Sequence, residues 1–190
     1  VEDLSRAVLR EQLETNLLGW HELTCQVLPI MRRQGEGRIV QNSSVLGLVA
    51  LPFRGAYNCS KFALEGLTDT LRMELAGTSI AVSLIEPGPI ATRFRENAHA
   101  RFLASIDVES SPHRARYQGA LNRLSSSKPT PFTRPPEAVI KQLIHALESP
   151  RPRARYYVTL PTYLFAGLRR VLPSTALDRF LLAISQRENA

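Results

Sequence analysis

The sequence predicts an α/β fold, a doubly wound parallel sheet with helices on both faces. Segments with helical apolar spacing alternate with short apolar runs in the order helix, strand, helix, strand, helix, strand, helix. Right-handed crossovers between such units place successive strands in parallel. The run Ile80 to Ile85 is almost wholly apolar, the pattern of a strand buried on both faces of a parallel sheet. Ligands of such sheets lie beyond the carboxyl ends of the strands, so the segments that follow strands are where function is sought.

Residues 4–33 carry Leu9, Leu13, Leu17, Trp20, Leu23, Val27 and Ile30 at helical spacing, for one long helix or two joined pieces. Gly35 and Gly37 stop it. Residues 38–43, with Ile39 and Val40 at their centre, read as a buried strand that runs into a polar loop. Helical spacing returns over 56–76, where Phe62, Leu64, Leu67, Leu71 and Leu75 offer a core face, and Gly77 ends it. The strand over 80–85 is broken by Pro87-Gly88-Pro89. From about 93 to 134 the periodicity fades into a Ser- and Arg-rich, lid-like excursion with room for short helices. Pro135 and Pro136 open a helix with Val139, Leu143, Ile144 and Leu147 on its apolar face, and Pro150 closes it. Arg155 to Leu160 reads as a third strand, and 163–187 as one or two amphipathic helices interrupted near Pro173.

Composition narrows the function. With 190 residues and 44% hydrophobic content the chain makes one globular domain. Cys25 and Cys59 lack redox or metal-ligand spacing, and His21, His99, His113 and His145 are dispersed, so neither disulfides nor a metal site is expected. No signal peptide opens the chain and no apolar run reaches bilayer length, which points to the cytoplasm. The net charge of +7 is uneven: residues 1–92 hold 8 Lys+Arg against 10 Asp+Glu, and residues 93–190 hold 16 against 7. Scattered arginines without interleaved aromatic residues make a solvated basic surface rather than a nucleic-acid site. The tail alternates Leu164, Phe165, Leu168, Val171 and Leu172, then Leu177, Phe180, Leu181 and Ile184, with Arg169, Arg170, Arg179 and Arg187. Such a stripe packs on the body, forms a subunit interface, or rests peripherally on an anionic membrane.

The chemistry centres on Tyr57-Asn58-Cys59-Ser60-Lys61, whose Tyr57 and Lys61 lie four residues apart and share one helix face. Asn42-Ser43-Ser44 ends the first strand 13 residues before Tyr57, and Glu86-Pro87-Gly88-Pro89-Ile90-Ala91-Thr92 ends the second. A Gly-x-Ser-x-Gly elbow is absent, which argues against a serine hydrolase. Together with Glu14-Thr15-Asn16-Leu17-Leu18-Gly19, these motifs make the chain from Leu4 to Thr92 resemble the short-chain dehydrogenase/reductase family. More distantly, Arg155-Tyr156-Tyr157-Val158 and the tail look like its hydroxysteroid and retinol dehydrogenase branch.

The resemblance implies a Rossmann-like sheet and an NAD(P)-dependent oxidoreductase that interconverts a carbonyl and an alcohol. Tyr57 would be the proton donor, Lys61 would lower its pKa and bind the nicotinamide ribose, and Ser44 would bind the substrate oxygen. The backbone of Asn16 would anchor a proton-relay water. Pro87, Gly88, the backbone of Ile90 and the side chain of Thr92 would line the nicotinamide. NADP is the expected cofactor, with NAD the alternative, and the substrate a small lipophilic carbonyl or alcohol bound under the 93–134 lid. A homo-oligomer is expected. The family's Gly-x-x-x-Gly-x-Gly turn for the pyrophosphate is not found in these 190 residues. The chain therefore reads as the C-terminal part, 1–190, of a single catalytic domain without its N-terminal strands. The other class left open is a non-enzymatic binding or interaction fragment.

Overall fold

A computed structural model of the protein describes residues 1–126 and 128–189. Helix α1 (Arg6–Leu13) begins at Ser5, whose hydroxyl accepts from the Val8 N–H, and passes through a widened π turn (Glu14–Leu18) into α2 (Gly19–Gln34). Gly35 then adopts a left-handed φ of 80°, which only glycine takes without strain, and caps α2. Strand β1 (Gly37–Asn42), helix α3 (Gly55–Glu74) and strand β2 (Ile80–Glu86) follow. Helices α4 (Phe94–Ser105) and α5 (Arg114–Ser125) lie in the 93–134 segment, and α6 (Glu137–Glu148) leads to β3 (Arg155–Tyr157). Helices α7 (Leu160–Val171) and α8 (Ser174–Asn189), broken at Pro173, close the chain.

The sheet is parallel throughout, in the order β1-β2-β3, with Gly37 opposite Ile80 and Leu84 opposite Arg155. The three expected strands are present. The third ends at Tyr157 rather than Leu160, because Thr159-Leu160-Pro161 opens α7 with proline in its first turn. The 93–134 excursion is more ordered than its sequence suggests. Its two helices are held by an aromatic cluster of Phe53, Phe102, His113 and Tyr117, and Tyr117 donates from its hydroxyl to Asp3 at 2.6 Å.

Buried side chains gather in three groups. Ile39, Leu75, Ile80 and Val82 lie at one end of the sheet, and Ile85, Ala146 and Tyr156 pack under α6. Leu46, Val49, Leu51, Phe165 and Leu181 join the loop after β1 to α7 and α8. The expected core face of the first helix pair is only partly covered: Leu9, Leu13, Leu17, Trp20 and Val27 are half-buried, whereas Leu23 is 60% and Ile30 46% exposed. Among the described residues β1 lies at the edge of the sheet, and α2 packs beside it with Thr24 buried. Leu67 on α3 is also exposed, whereas Leu64 and Leu75 are buried as expected. In the tail, Arg169 does not flank an outward stripe. Its guanidinium turns inward, donates to the Leu48 carbonyl at 2.7 Å and stacks on Phe62.

Candidate active site

The carboxyl ends of β1 and β2 are tied together before any side chain is considered. The Ser43 N–H donates to the Ile85 carbonyl and the Val45 N–H to the Pro87 carbonyl, each at 2.8 Å. The serine loop and the Pro87-Gly88 turn thus form one surface.

Tyr57 and Lys61 lie in the first two turns of α3, which faces that surface. Ser44 is buried in extended conformation, its hydroxyl accepting from the Leu46 N–H at 3.1 Å and standing near the Tyr57 hydroxyl. Burial pushes the Tyr57 phenol up, and the neighbouring Ser44 hydroxyl works against that. Lys61 is 4% exposed and donates from Nζ to the Asn42 carbonyl at 2.9 Å. Its ammonium also lies 4.7 Å from the centre of the Trp20 ring and 5.7 Å from that of Tyr57. Burial pulls Lys61 down to about 8, opposed by the Glu65 carboxylate one turn further along α3. Phe94, the first residue of α4, sits edge-to-face on Tyr57 at 5.5 Å.

Asn16 lies within the π turn, where the Gly19 N–H reaches back to the Glu14 carbonyl. Such widened turns concentrate at functional sites. The Asn16 amide donates to the Ser60 hydroxyl at 3.2 Å, and Ser60 donates to the Tyr57 carbonyl at 2.8 Å. The turn after β2 forms a parallel bridge between Ile90 and Arg134, in which the Ala91 N–H donates to the Arg134 carbonyl and the Arg134 N–H to the Pro89 carbonyl. These bonds use the flanking groups and leave the N–H and carbonyl of Ile90 on the other edge. Gly88 packs against the buried Thr159 and Thr162. Thr92 is exposed, and its hydroxyl accepts from the Phe94 N–H at 3.3 Å and starts α4.

A charged cluster behind the serine loop escaped the sequence reading. Ser43 donates to Glu65, and Arg155 on β3 pairs with Glu65, with Glu86 at 2.5 Å and with Asp69 at 2.6 Å. A glutamate ending an apolar strand was the available signal, since buried carboxylates demand partners. Glu86 is 0% exposed and its Oε2 has no partner among the described residues. Burial, with Glu65 close by, pushes Glu86 up to about 8 despite Arg155.

Between the ordinary value of 4.5 and about 8, the folded chain therefore holds a proton on Glu86 that the unfolded chain releases. Stability is present below this window and falls as pH rises through it. With a tenfold change in proton affinity worth about 1.4 kcal/mol, the loss is on the order of a few kcal/mol. Glu86→Gln, which imitates the protonated acid, is expected to flatten the decline. Urea midpoints measured from pH 5 to 9 check this, and parallel declines in the two proteins would contradict it.

Glu2, Asp3 and His113 bring three ligand-type atoms within 4.8 Å of one another. Asp3 is already engaged by Tyr117 and by Ser111 at 2.9 Å, and His113 lies 3.4 Å from Glu2. These contacts dock the lid segment on the N-terminal residues. Among the described residues, no helix is long and apolar enough to cross a membrane.

Comparison with known proteins agrees with this geometry. The chain is 44% identical over 178 residues to the uncharacterized oxidoreductase YbbO of Escherichia coli strain K12, covering 94% of this chain and 60% of that protein. It is 34% identical over 164 residues to human retinol dehydrogenase 8, covering 82% of this chain and 50% of that one. The fold superimposes on a short chain dehydrogenase of Burkholderia cenocepacia J2315, crystallised in complex with NADP, with a TM-score of 0.67 at 21% identity, covering 94% of this chain and 62% of the other. The chain thus has the α/β Rossmann-like fold and spans about 60% of the length of YbbO. The family model for short chain dehydrogenase matches residues 1–101, more than half of the sequence, and the chain belongs to that family of oxidoreductases.

Proposed function

We propose that this chain carries the proton-transfer site of an NAD(P)-dependent enzyme that interconverts a lipophilic carbonyl compound and its alcohol. The observation that carries the reading is Tyr57 set beside the buried Ser44, with the buried Lys61 ammonium one helical turn away and 5.7 Å from the Tyr57 ring centre.

A phenol in water is too weak an acid to deliver a proton quickly near neutral pH. Lys61 corrects this by favouring the phenolate that remains after transfer. In the reductive direction Tyr57 gives its proton to the carbonyl oxygen, while Ser44 donates a hydrogen bond to the same oxygen as charge develops there. Asn16 steadies the helix start by way of Ser60. When bound, the nicotinamide supplies the hydride, or accepts it in the reverse reaction.

The residues suit that half of the cofactor. Lys61 has three donors and Asn42 takes one, which leaves two for ribose hydroxyls. The unused backbone groups of Ile90 match a carboxamide, and Pro87 and Gly88 shape the wall beside it. Thr92, engaged with Phe94, contributes by starting the helix that covers the site. None of the 190 residues forms the Gly-x-x-x-Gly-x-Gly turn, so these groups account for the nicotinamide end and not for the pyrophosphate. NADP is preferred on family resemblance, with NAD as the alternative.

Two observations favour a lipophilic substrate: Phe94 lies against Tyr57, and the chain is similar to retinol dehydrogenase 8. A peripheral membrane role draws support from α7, which presents Leu160, Tyr163, Leu164 and Val171 outward. The test is a set of steady-state assays on the full gene product with retinaldehyde, a ketosteroid, a long-chain aldehyde and small polar sugars, each with NADPH and NADH. Preference for the lipophilic carbonyls is expected. Preference for the sugars would defeat the substrate reading, and no turnover of any carbonyl would defeat the enzymatic one. Liposome pelleting of Leu164→Ser/Val171→Ser beside the wild type tests the membrane contact, which predicts weaker binding by the variant.

A further inference from the structure

We propose that Glu65 and Arg155 are positioning residues: through Ser43 they clamp the loop that carries Ser44 to the helix that carries Tyr57 and Lys61. This rests on the catalytic reading above. Three segments bear the reacting groups, and the charged cluster holds the neighbour of each one. Ser43 precedes Ser44, Glu65 stands one helical turn beyond Lys61, and Glu86 precedes Pro87. Arg155 joins Glu65 to Glu86 from β3, and Asp69 takes its second nitrogen. The cluster thus braces the rear of the site at the one place where loop, helix and turn meet.

Gly47 provides independent evidence that this contact is built in. A Cβ there would lie 2.7 Å from the Ser43 hydroxyl oxygen and 2.9 Å from Glu65 Cγ. Only glycine lets the loop close on Glu65 while Ser43 keeps its bond. The positions of the partners explain why a bare packing role is insufficient. An apolar residue in place of Glu65 would fill the same space, yet it would neither receive the Ser43 hydroxyl nor stand as an anion beside Lys61.

The clamp acts by two routes, one on Tyr57 and one on Lys61. Holding Ser44 beside Tyr57 preserves a hydroxyl that favours the phenolate. Holding an anion near Lys61 keeps its ammonium to higher pH and so extends the range over which Lys61 supports proton transfer from Tyr57. The groups facing Tyr57 are Ser44 from the loop, Lys61 from its own helix and Phe94 from α4. Those facing Lys61 are the Asn42 carbonyl from β1, Trp20 from α2, and Tyr57 and Glu65 from α3. Glu65 in turn faces Ser43 and Arg155, and Arg155 is shared with Glu86 from β2 and Asp69 from α3. Releasing the clamp should therefore raise the pH at which Tyr57 ionises.

The experiment titrates Tyr57 by phenolate absorbance, as the difference between each protein and the same protein carrying Tyr57→Phe. Ser43→Ala removes one hydroxyl and leaves every partner of Arg155 in place, so it keeps the fold. It is expected to move the Tyr57 midpoint up by about half a pH unit, and Glu65→Gln to bring the alkaline fall in reductive kcat/KM to lower pH by about half a unit. Both should lower kcat about tenfold while KM stays within about twofold. Unchanged Tyr57 titration in folded Ser43→Ala overturns the proposal, whatever becomes of Glu65→Gln. A shifted titration in a protein that reduces no carbonyl would instead retain the clamp and discard the proposed activity.

Discussion

Tyr57→Phe is expected to lower carbonyl turnover by a factor of about 10² to 10⁴, the range that a well-placed general acid contributes. The substitution removes one hydroxyl and leaves the ring, so the edge-to-face contact with Phe94 and the start of α3 persist. Lys61 keeps its bond to the Asn42 carbonyl, and affinity for the nicotinamide cofactor should change little. Lys61→Ala should damage both, because it removes the ribose donors together with the charge that favours the phenolate. The pH profile follows from the same groups. Below about 8 Lys61 is an ammonium, and above it the neutral amine gives Tyr57 no electrostatic support. Reductive kcat/KM of the wild type is therefore expected to be flat near neutrality and to fall as pH rises through about 8. Stopped-flow turnover, cofactor titration by fluorescence and a pH series measure the three effects. Near-wild-type reduction by Tyr57→Phe would falsify the assignment of the acid.

The site was legible where its chemistry is local. Tyr57 and Lys61 stand four residues apart on one helix face, and Ser44 and Pro87-Gly88 each follow a strand, so chain order alone put the serine and the turn on one crevice. Long-range polar contacts were less visible. Glu65 and Arg155 meet across 90 residues of sequence, and Glu65 at its position on a helix reads like any solvated glutamate. The inward turn of Arg169 shows the same problem, because a guanidinium beside an apolar stripe gives no sign of the carbonyl it will find. Periodicity located α3 and β2 to within a residue or two, since burial fixes their patterns. It overstated burial along α2, where Leu23 and Ile30 keep a core-like spacing yet are exposed among the described residues. The lid helices were understated for the opposite reason. Few of their residues are buried, and their order comes from a few aromatic contacts and the bond between Tyr117 and Asp3.

Gly88→Ala is expected to destabilise the fold by about 3 kcal/mol, at the upper end of what overpacking a closed interior produces. An added Cβ would stand 2.0 Å from Thr159 Oγ1 and 3.0 Å from Thr162 Oγ1. Neither threonine can simply swing aside. Both are completely or almost completely buried, their hydroxyls lie 3.2 Å apart in a hydrogen bond, and Thr159 is the residue from which α7 starts. Relief must come from the backbone of the turn, and there the displacement has consequences. The Pro87 carbonyl, one residue back, accepts from the Val45 N–H, so the serine loop moves with the turn. Activity should therefore fall in the molecules that still fold. Gly66→Ala supplies the control, because a Cβ at this exposed position on α3 meets nothing within 4 Å. The same chemical change there should stabilise by about 0.5 to 1 kcal/mol through helix propensity. For a domain of this size 3 kcal/mol corresponds to a Tm lower by about 6 to 12 °C, and the control should melt slightly above the wild type. Thermal melts of the two variants would then move in opposite directions, and a Gly88→Ala protein melting within about 2 °C of the wild type would show that the turn is not closed against α7.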